Sequence, residues 1–300
     1  MENLLVTPET LGFNVRQIES MKNAKLKRER MKLLVSNLTQ LNQDEKYSNV
    51  YIYSPPGLGK THTVNESLRI SDLIYFLVSG NTSMFAFGIQ LAVINYLNPE
   101  MKPVVIYVDD CDEIFKNDQN CNTMKKVLDR EQCFTYEKSL ASQWSSLSET
   151  QKDAIKFFGE EGKMGFAVPT HNMRFIFTSN LQLPFDDEVA EARKKTKSKA
   201  ILMAHRNAIR SRCKVGDFDL TLTEHWGWIA DVVMSSDILN NMVLSDEQKF
   251  TILDFMWNNW TSMKVRSIRV IEQMLVSMKQ FPETYKMIWA IDYIKTNTHG

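Results

Sequence analysis

The residues best suited to chemistry in this chain form one run, Ser54-Pro55-Pro56-Gly57-Leu58-Gly59-Lys60-Thr61. It closes a short apolar stretch, Val50-Tyr51-Ile52-Tyr53, and helix-forming sequence follows it. The residue types suit the capture of a polyphosphate. Gly57 and Gly59 let the backbone curl so that consecutive N–H groups point at an anion. Lys60 brings a positive charge to the β- and γ-phosphates, and the Thr61 hydroxyl can ligate Mg²⁺. The helix beyond presents its positive dipole end to the same phosphates. Pro56, Leu58 and His62 complete the set of cofactor-binding candidates. The first position of the G-x-x-x-x-G-K-[ST] pattern is Ser54, a place where a small residue serves the turn more than the phosphates. The implied ligand is a nucleoside triphosphate.

A triphosphate site also needs a carboxylate in the Mg²⁺ shell and a polarised water at the γ-phosphate. Val104-Val105-Ile106-Tyr107-Val108 reads as a buried strand, and Asp109-Asp110-Cys111-Asp112-Glu113 follows it. Asp109 stands at the strand's carboxyl end, where it and Thr61 are the metal candidates. Asp110 is the candidate water-activating base. Asp112 and Glu113 extend the acidic cluster toward solvent or a neighbouring subunit.

These groups require a sheet to position them. Leu73–Val78 is continuously apolar, as a strand buried on both faces should be. Arg174–Thr178 supplies a fourth strand, and Val215–Leu222, with Phe218, Leu220 and Leu222 alternating, reads as an edge strand. Strands alternating with helices imply a parallel sheet with right-handed crossovers. Between Val104–Val108 and Arg174–Thr178, a helix over 122–129 is expected. Cys133–Tyr136 and Gly165–Val168 are short pieces able to pair as a hairpin. Ser148-Glu149-Thr150-Gln151 fits a capping box ahead of a helix. From Thr223 the pattern is helical only, with Ile268, Ile271, Leu275 and Met278 on one stripe and Trp257, Trp260, Met287, Trp289 and Ile294 on neighbouring helices. Residues 13–42 predict a basic helix with Val15, Ile18, Met21, Leu26, Met31, Leu34 and Leu38 as inward positions. The fold class is α/β, a five-stranded parallel P-loop sheet with flanking helices plus a C-terminal all-α lid. The expected domains are 1–48, 49–222 (with 117–170 as an insertion) and 223–300.

Composition narrows the function classes. A zero net charge removes any whole-protein case for nucleic acid or an anionic membrane, leaving local patches to make it. Two such patches exist, 22–32 (Lys22, Lys25, Lys27, Arg28, Arg30, Lys32) and 193–199 (Arg193-Lys194-Lys195-Thr196-Lys197-Ser198-Lys199). The first reads as a solvated helix face or a contact for DNA or an acidic partner; the second as a solvated mobile loop or a phosphate-backbone contact. Cys111, Cys121, Cys133 and Cys213 have no metal-ligand spacing and read as free thiols. His62 and His171 lack companions at ligand spacing. No signal peptide or run of about 18 apolar residues is seen, which predicts no membrane contact and a cytoplasmic location, the host cytoplasm for a viral chain.

The motifs taken in order resemble those of the AAA+ ATPases over about residues 45–280. Ser54–Thr61 and Val104–Asp110 look like that family's Walker A and Walker B. Asn180, in Thr178-Ser179-Asn180, resembles sensor 1. Ala208-Ile209-Arg210-Ser211-Arg212-Cys213 is similar to the Ser-Arg-Cys motif of clamp-loader subunits, which makes Arg212 the arginine finger and Arg210 the fallback. Lys264-Val265-Arg266-Ser267-Ile268 resembles sensor 2, with Arg266 on the nucleotide. The long segment 117–170 is similar to one in small phage-encoded AAA+ proteins, and a hairpin there could point into a ring's pore. The resemblance implies ATP and Mg²⁺ as cofactors, and a ring or partial ring of identical subunits, a hexamer among the candidates. It implies hydrolysis at subunit interfaces that remodels a protein or protein–nucleic-acid partner. A clamp-loader-like DNA-associated ATPase and a slow or non-hydrolysing nucleotide-gated scaffold are the alternatives. The last is raised by Asp110, which stands where most members carry glutamate and is one methylene shorter. Met84-Phe85-Ala86-Phe87 reads as core packing or as the aromatic pore loop of protein-threading rings.

Overall fold

Val50–Tyr53 (β1) is a short strand of β-branched and aromatic residues, and it lies inside a parallel sheet. The computed structural model describes residues 8–40, 49–71, 73–79, 82–129, 132–140, 142–159, 165–195, 197–235 and 244–295. The other strands are β2 (Tyr75–Ser79), β3 (Val104–Asp109), β4 (Cys133–Tyr136), β5 (Phe166–Pro169), β6 (Met173–Ser179) and β7 (Lys214–Asp217). The helices are α1 (Val15–Gln40), α2 (Lys60–Ile70), α3 (Met84–Tyr96), α4 (Asp118–Leu128), α5 (Glu149–Phe158), α6 (Asp186–Lys195), α7 (Lys197–Arg210), α8 (Leu222–Ser235), α9 (Asp246–Asn259), α10 (Ile268–Gln280) and α11 (Tyr285–Tyr293).

The chain packs as two compact units. One holds Leu33–Tyr53 and Val64–Asp217; the other holds Met1–Lys32, Ser54–Thr63 and Phe218–Gly300.

In the first unit five strands run parallel in the order β2-β3-β6-β1-β7. The register pairs Tyr53 with both Ser179 and Asp217, Val108 with Phe177, and Asp109 with Ser79. The carboxyl ends of all five strands therefore share one edge of the sheet, the edge where open α/β sheets bind ligands. The interior strands β3 and β6 are apolar and buried nearly throughout. Tyr51, Phe115, Phe175 and Phe177 pack edge-on and stacked beneath them. Asn49, buried at the entry to β1, ties the sheet across: its side-chain oxygen accepts from Phe175 N and its carbonyl from Lys214 N. The expected pairing of Cys133–Tyr136 with Gly165–Val168 is found one residue further on, as the antiparallel ribbon of β4 with Phe166–Pro169 (β5), and the Ser148–Gln151 capping box forms at the head of α5.

Several expectations are corrected. β2 is an edge strand among the described residues, and its apolar run is not buried on both faces: the successive side chains Phe76 and Leu77 are both exposed, Leu77 to 58%. β7 is an edge strand but ends at Asp217; Leu220 precedes α8 and Leu222 begins it. The helix expected over 122–129 starts at Asp118, where the Asn117 side chain caps it. Of the basic run 193–199, expected as a mobile loop, the described residues are helical: α6 continues to Lys195 and α7 begins at Lys197, as expected of Ala-, Lys- and Glu-rich sequence free of Gly and Pro. The side chains of that run lie outside the described residues.

In the second unit α1 buries Gln17, Ser20, Met21, Ala24, Arg28 and Met31 along one helical stripe, while Val15 and Leu26 face solvent. The inward face is set by what α8 offers. Gly227 of α8 lies so near Ser20 that a Cβ there would sit 2.2 Å from the Ser20 carbonyl oxygen. Ser20 Oγ donates to Thr223 O, and the Arg28 guanidinium meets the Asp231 carboxylate at 2.9 Å, both side chains buried. Trp226 packs between Phe13 and Trp257 and donates its indole N–H to Leu253 O. Ile268, Ile271 and Leu275 are buried as the α10 stripe requires, and Trp289 of α11 packs with Phe255. Met287, expected inside, is 62% exposed.

Candidate functional site

The loop after β1 has the backbone a phosphate cradle needs. Gly57 (φ +80°) and Gly59 (φ +73°) are both left-handed, a conformation that L side chains rarely adopt. At Gly57 space is closed as well: a Cβ would lie 2.8 Å from the Ser267 Cβ. α2 begins at Lys60, and its first turn is set by the Thr63 N–H donating to Gly59 O at 2.9 Å. Lys60 Nζ donates to Ser54 O at 2.6 Å and Pro55 O at 3.2 Å, so the ammonium is held against its own loop. Thr61 is exposed, His62 and Pro55 are half-buried, and Pro56 lies at the exposed turn.

Two further facts of this unit escape sequence inspection. The Trp228 indole N–H donates to Leu58 O at 2.6 Å, and both residues are buried. A tryptophan six residues into a helix carries no sign of which carbonyl it will find. Arg266, placed ahead of α10, gives its Nε to Trp260 O and its Nη2 to Thr261 O, both at 2.7 Å, with the guanidinium 5.8 Å from the Trp260 ring. His225 stands edge-on to the same indole, 5.4 Å between centroids. Burial, helped by the Arg266 charge, pushes its imidazole down to about 4.

The carboxylates form a latched cluster at the ends of β3 and β6 in the other unit. Asp109 Oδ1 accepts from the Tyr107 hydroxyl at 2.8 Å and from the Thr178 hydroxyl at 2.6 Å, which fixes the carboxylate's orientation. The same Thr178 oxygen accepts from Asp110 N at 3.2 Å. Asp110 is left-handed (φ +53°, ψ +52°), a cost of about 1 kcal/mol that aspartate tolerates better than most residues. Its carboxylate accepts from Asn180 Nδ2 at 3.2 Å. The candidate base and the candidate sensor thus meet directly. Asp112, expected to face solvent or a neighbouring subunit, instead turns inward: its Oδ1 accepts from the Ser179 hydroxyl and from Asn180 N. Thr178 and Asp112 are the residues sequence reasoning missed here. Their signal was present, a hydroxyl and an acid beside two motifs, but only cross-strand register brings them together.

The two candidate arginines differ in how firmly they are held. Arg210 donates to Leu183 O at 2.9 Å, pairs with Asp217 at 2.8 Å and lies 3.7 Å over the Phe185 ring. Arg212 donates to Ala208 O at 2.7 Å and pairs with Asp129 at 2.6 Å, with Asp129 about half exposed. Cys213 beside it is buried and its thiol is pushed up to about 12, so it is inert at neutral pH. In the first basic patch, Arg28 is spent on Asp231 and Lys27 pairs with Glu224 at 2.9 Å. Of Met84-Phe85-Ala86-Phe87, Phe87 is fully buried against Phe134, and Phe85, half-buried, packs on Tyr136, which is the core packing expected as one of the two readings. All four cysteines are free thiols, and no helix of the described residues is long and apolar enough to cross a membrane.

No protein-family model matches the chain, and no curated protein matches it. Among solved structures it is similar to the RuvB Holliday junction branch migration motor of Thermotoga maritima, at 12% identity over 90% of this chain and 68% of that one, with a TM-score of 0.44. Identity and superposition are too low to bring an activity across, and the fold stands on the sheet order itself.

Proposed function

We propose that the chain is an AAA+ ATPase that binds Mg²⁺·ATP on the Ser54–Thr61 loop and hydrolyses it. The observation that carries this reading is the loop itself. Gly-Leu-Gly-Lys-Thr follows an interior strand of a parallel sheet, with both glycines left-handed and a helix beginning at the lysine. The residues present fit the cofactor. The left-handed Gly57 and Gly59 give the loop the curl that gathers backbone N–H groups on an anion, and Lys60, Thr61 and Asp109 are the donor and acceptor types that Mg²⁺·triphosphate requires.

In this reading Lys60 would exchange its loop carbonyls for phosphate oxygens, and Thr61 and Asp109 are the residues that would hold Mg²⁺, which would supply charge neutralisation at the phosphates. Asp110 takes a proton from the attacking water, and Asn180, already hydrogen-bonded to Asp110, orients that water. Arg212 is the finger offered to a neighbouring subunit, and Arg266 reports the nucleotide to the C-terminal helices. A finger does nothing for its own site, so the working form is a ring or partial ring of this chain, with a hexamer one candidate. Its output is the remodelling of a protein or protein–nucleic-acid partner. The loss of Arg28 and Lys27 to internal ion pairs removes part of the support for DNA contact through residues 22–32.

Equilibrium binding of a fluorescent ATP analogue in Mg²⁺ tests the proposal. Lys60→Ala abolishes binding if the loop is the site, and undiminished binding in that variant refutes the assignment.

A further inference from the structure

Leu58 stands between two left-handed glycines, so its surroundings in the chain do little to fix the Leu58–Gly59 peptide. That peptide is planar, and its carbonyl and its N–H point in opposite directions. Whatever holds the Leu58 carbonyl therefore also aims the Gly59 N–H, one of the amides a phosphate cradle offers. The Trp228 indole N–H holds that carbonyl at 2.6 Å. Trp228 is 1% exposed and packs edge-on to Phe218, so it has no freedom to follow the loop. Its helix is anchored in turn: Gly227 abuts Ser20, Ser20 Oγ reaches Thr223 O at 2.5 Å, and Asp231 pairs with the buried Arg28.

We infer that Trp228 is a positioning residue for the nucleotide: it sets the Leu58–Gly59 peptide plane so that the Gly59 amide faces the phosphates. The inference rests on the reading of Ser54–Thr61 as the nucleotide site. It also gives the α1–α8 pair a function, as the fixed support from which the loop is aimed.

Trp228→Phe keeps an aromatic ring and removes the donor. A second variant, with the isosteric 3-benzothienylalanine at position 228, keeps the full bicyclic shape and removes only the N–H, so packing loss cannot mimic the result. In both, the dissociation constant and KM for Mg²⁺·ATP rise about tenfold, as expected for one lost buried hydrogen bond, and the loss falls on KM rather than kcat. A purely structural role would lower the thermal midpoint and leave the dissociation constant unchanged well below it. Lys60→Ala is measured alongside. If Lys60→Ala loses binding while the benzothienyl variant binds as wild type does, the Trp228 inference is overturned and the loop assignment survives. If Lys60→Ala binds normally, the loop assignment itself fails.

Discussion

Thr178→Val tests the latch that holds the acidic cluster. Thr178 is fully buried, and valine matches its shape while removing the hydroxyl. The variant loses a 2.6 Å bond to the Asp109 carboxylate, about 1.5–3 kcal/mol for a hydrogen bond to a charged group. It also loses the acceptor for Asp110 N at 3.2 Å, a longer neutral bond of about 0.5–1 kcal/mol. Asp109 keeps the Tyr107 hydroxyl at 2.8 Å, and Asp110 lies near water, so the losses do not add in full. The expected destabilisation is about 2–3 kcal/mol. Thr178→Ser is the control: it keeps the hydroxyl and removes one buried methyl, about 1 kcal/mol. Urea unfolding followed by circular dichroism reads both. With slopes of about 2–3 kcal/mol/M, the valine variant's midpoint falls by about 1 M and the serine variant's by less than half of that. A valine variant as stable as the serine variant would show that the hydroxyl holds nothing, and Asp109 would need another account of its orientation.

Other perturbations separate structural from catalytic roles. Arg28→Ala strands the buried Asp231 carboxylate, whose protonation burial favours and Arg28 opposes, and lowers stability by about 3–5 kcal/mol. Arg28→Met combined with Asp231→Leu recovers most of that loss in the same unfolding assay, and no recovery would deny the pair its role. His225 has its imidazole depressed to about 4 against an ordinary 6.5, so the folded state resists protonation that the unfolded chain accepts. Its contribution is complete above about pH 6.5 and is lost as pH falls toward 4. A shift of that size is worth about 3 kcal/mol, reduced to about 2 by partial solvent access to the ring. His225→Phe should flatten that part of the stability–pH curve, and an unchanged curve counts against the assignment. Arg212→Ala spares nucleotide binding and removes turnover; wild-type turnover in that variant moves the finger to Arg210.

Much of the fold is written locally. The apolar runs that became β3 and β6, the Ser148–Gln151 capping box and the Gly-Leu-Gly-Lys-Thr turn are short-range patterns, and short-range physics reads them: side-chain period, cap chemistry and the left-handed freedom of glycine. The acidic strand end was legible for the same reason. Burial was less legible, because an apolar run does not state how many neighbours its strand will have. β2 became an edge and left Leu77 in water. On α1 the expected inward set failed at Val15 and Leu26, since the face that turns inward is chosen by Gly227 and Asp231 more than 190 residues away. Arg28 read as surface charge for that reason.

For the site, sequence determined the residue types available: a glycine-rich loop with its lysine and threonine, and carboxylates at the end of a buried strand. Tertiary structure decided which atoms those groups are tied to. Parallel register laid Thr178 and Asn180 beside Asp109 and Asp110 and turned Asp112 inward. The packing of α8 brought an indole N–H to the carbonyl between the two glycines. Contacts of that kind span tens to well over a hundred residues of chain. No local pattern encodes them, because their partners are chosen by the geometry of the assembled core.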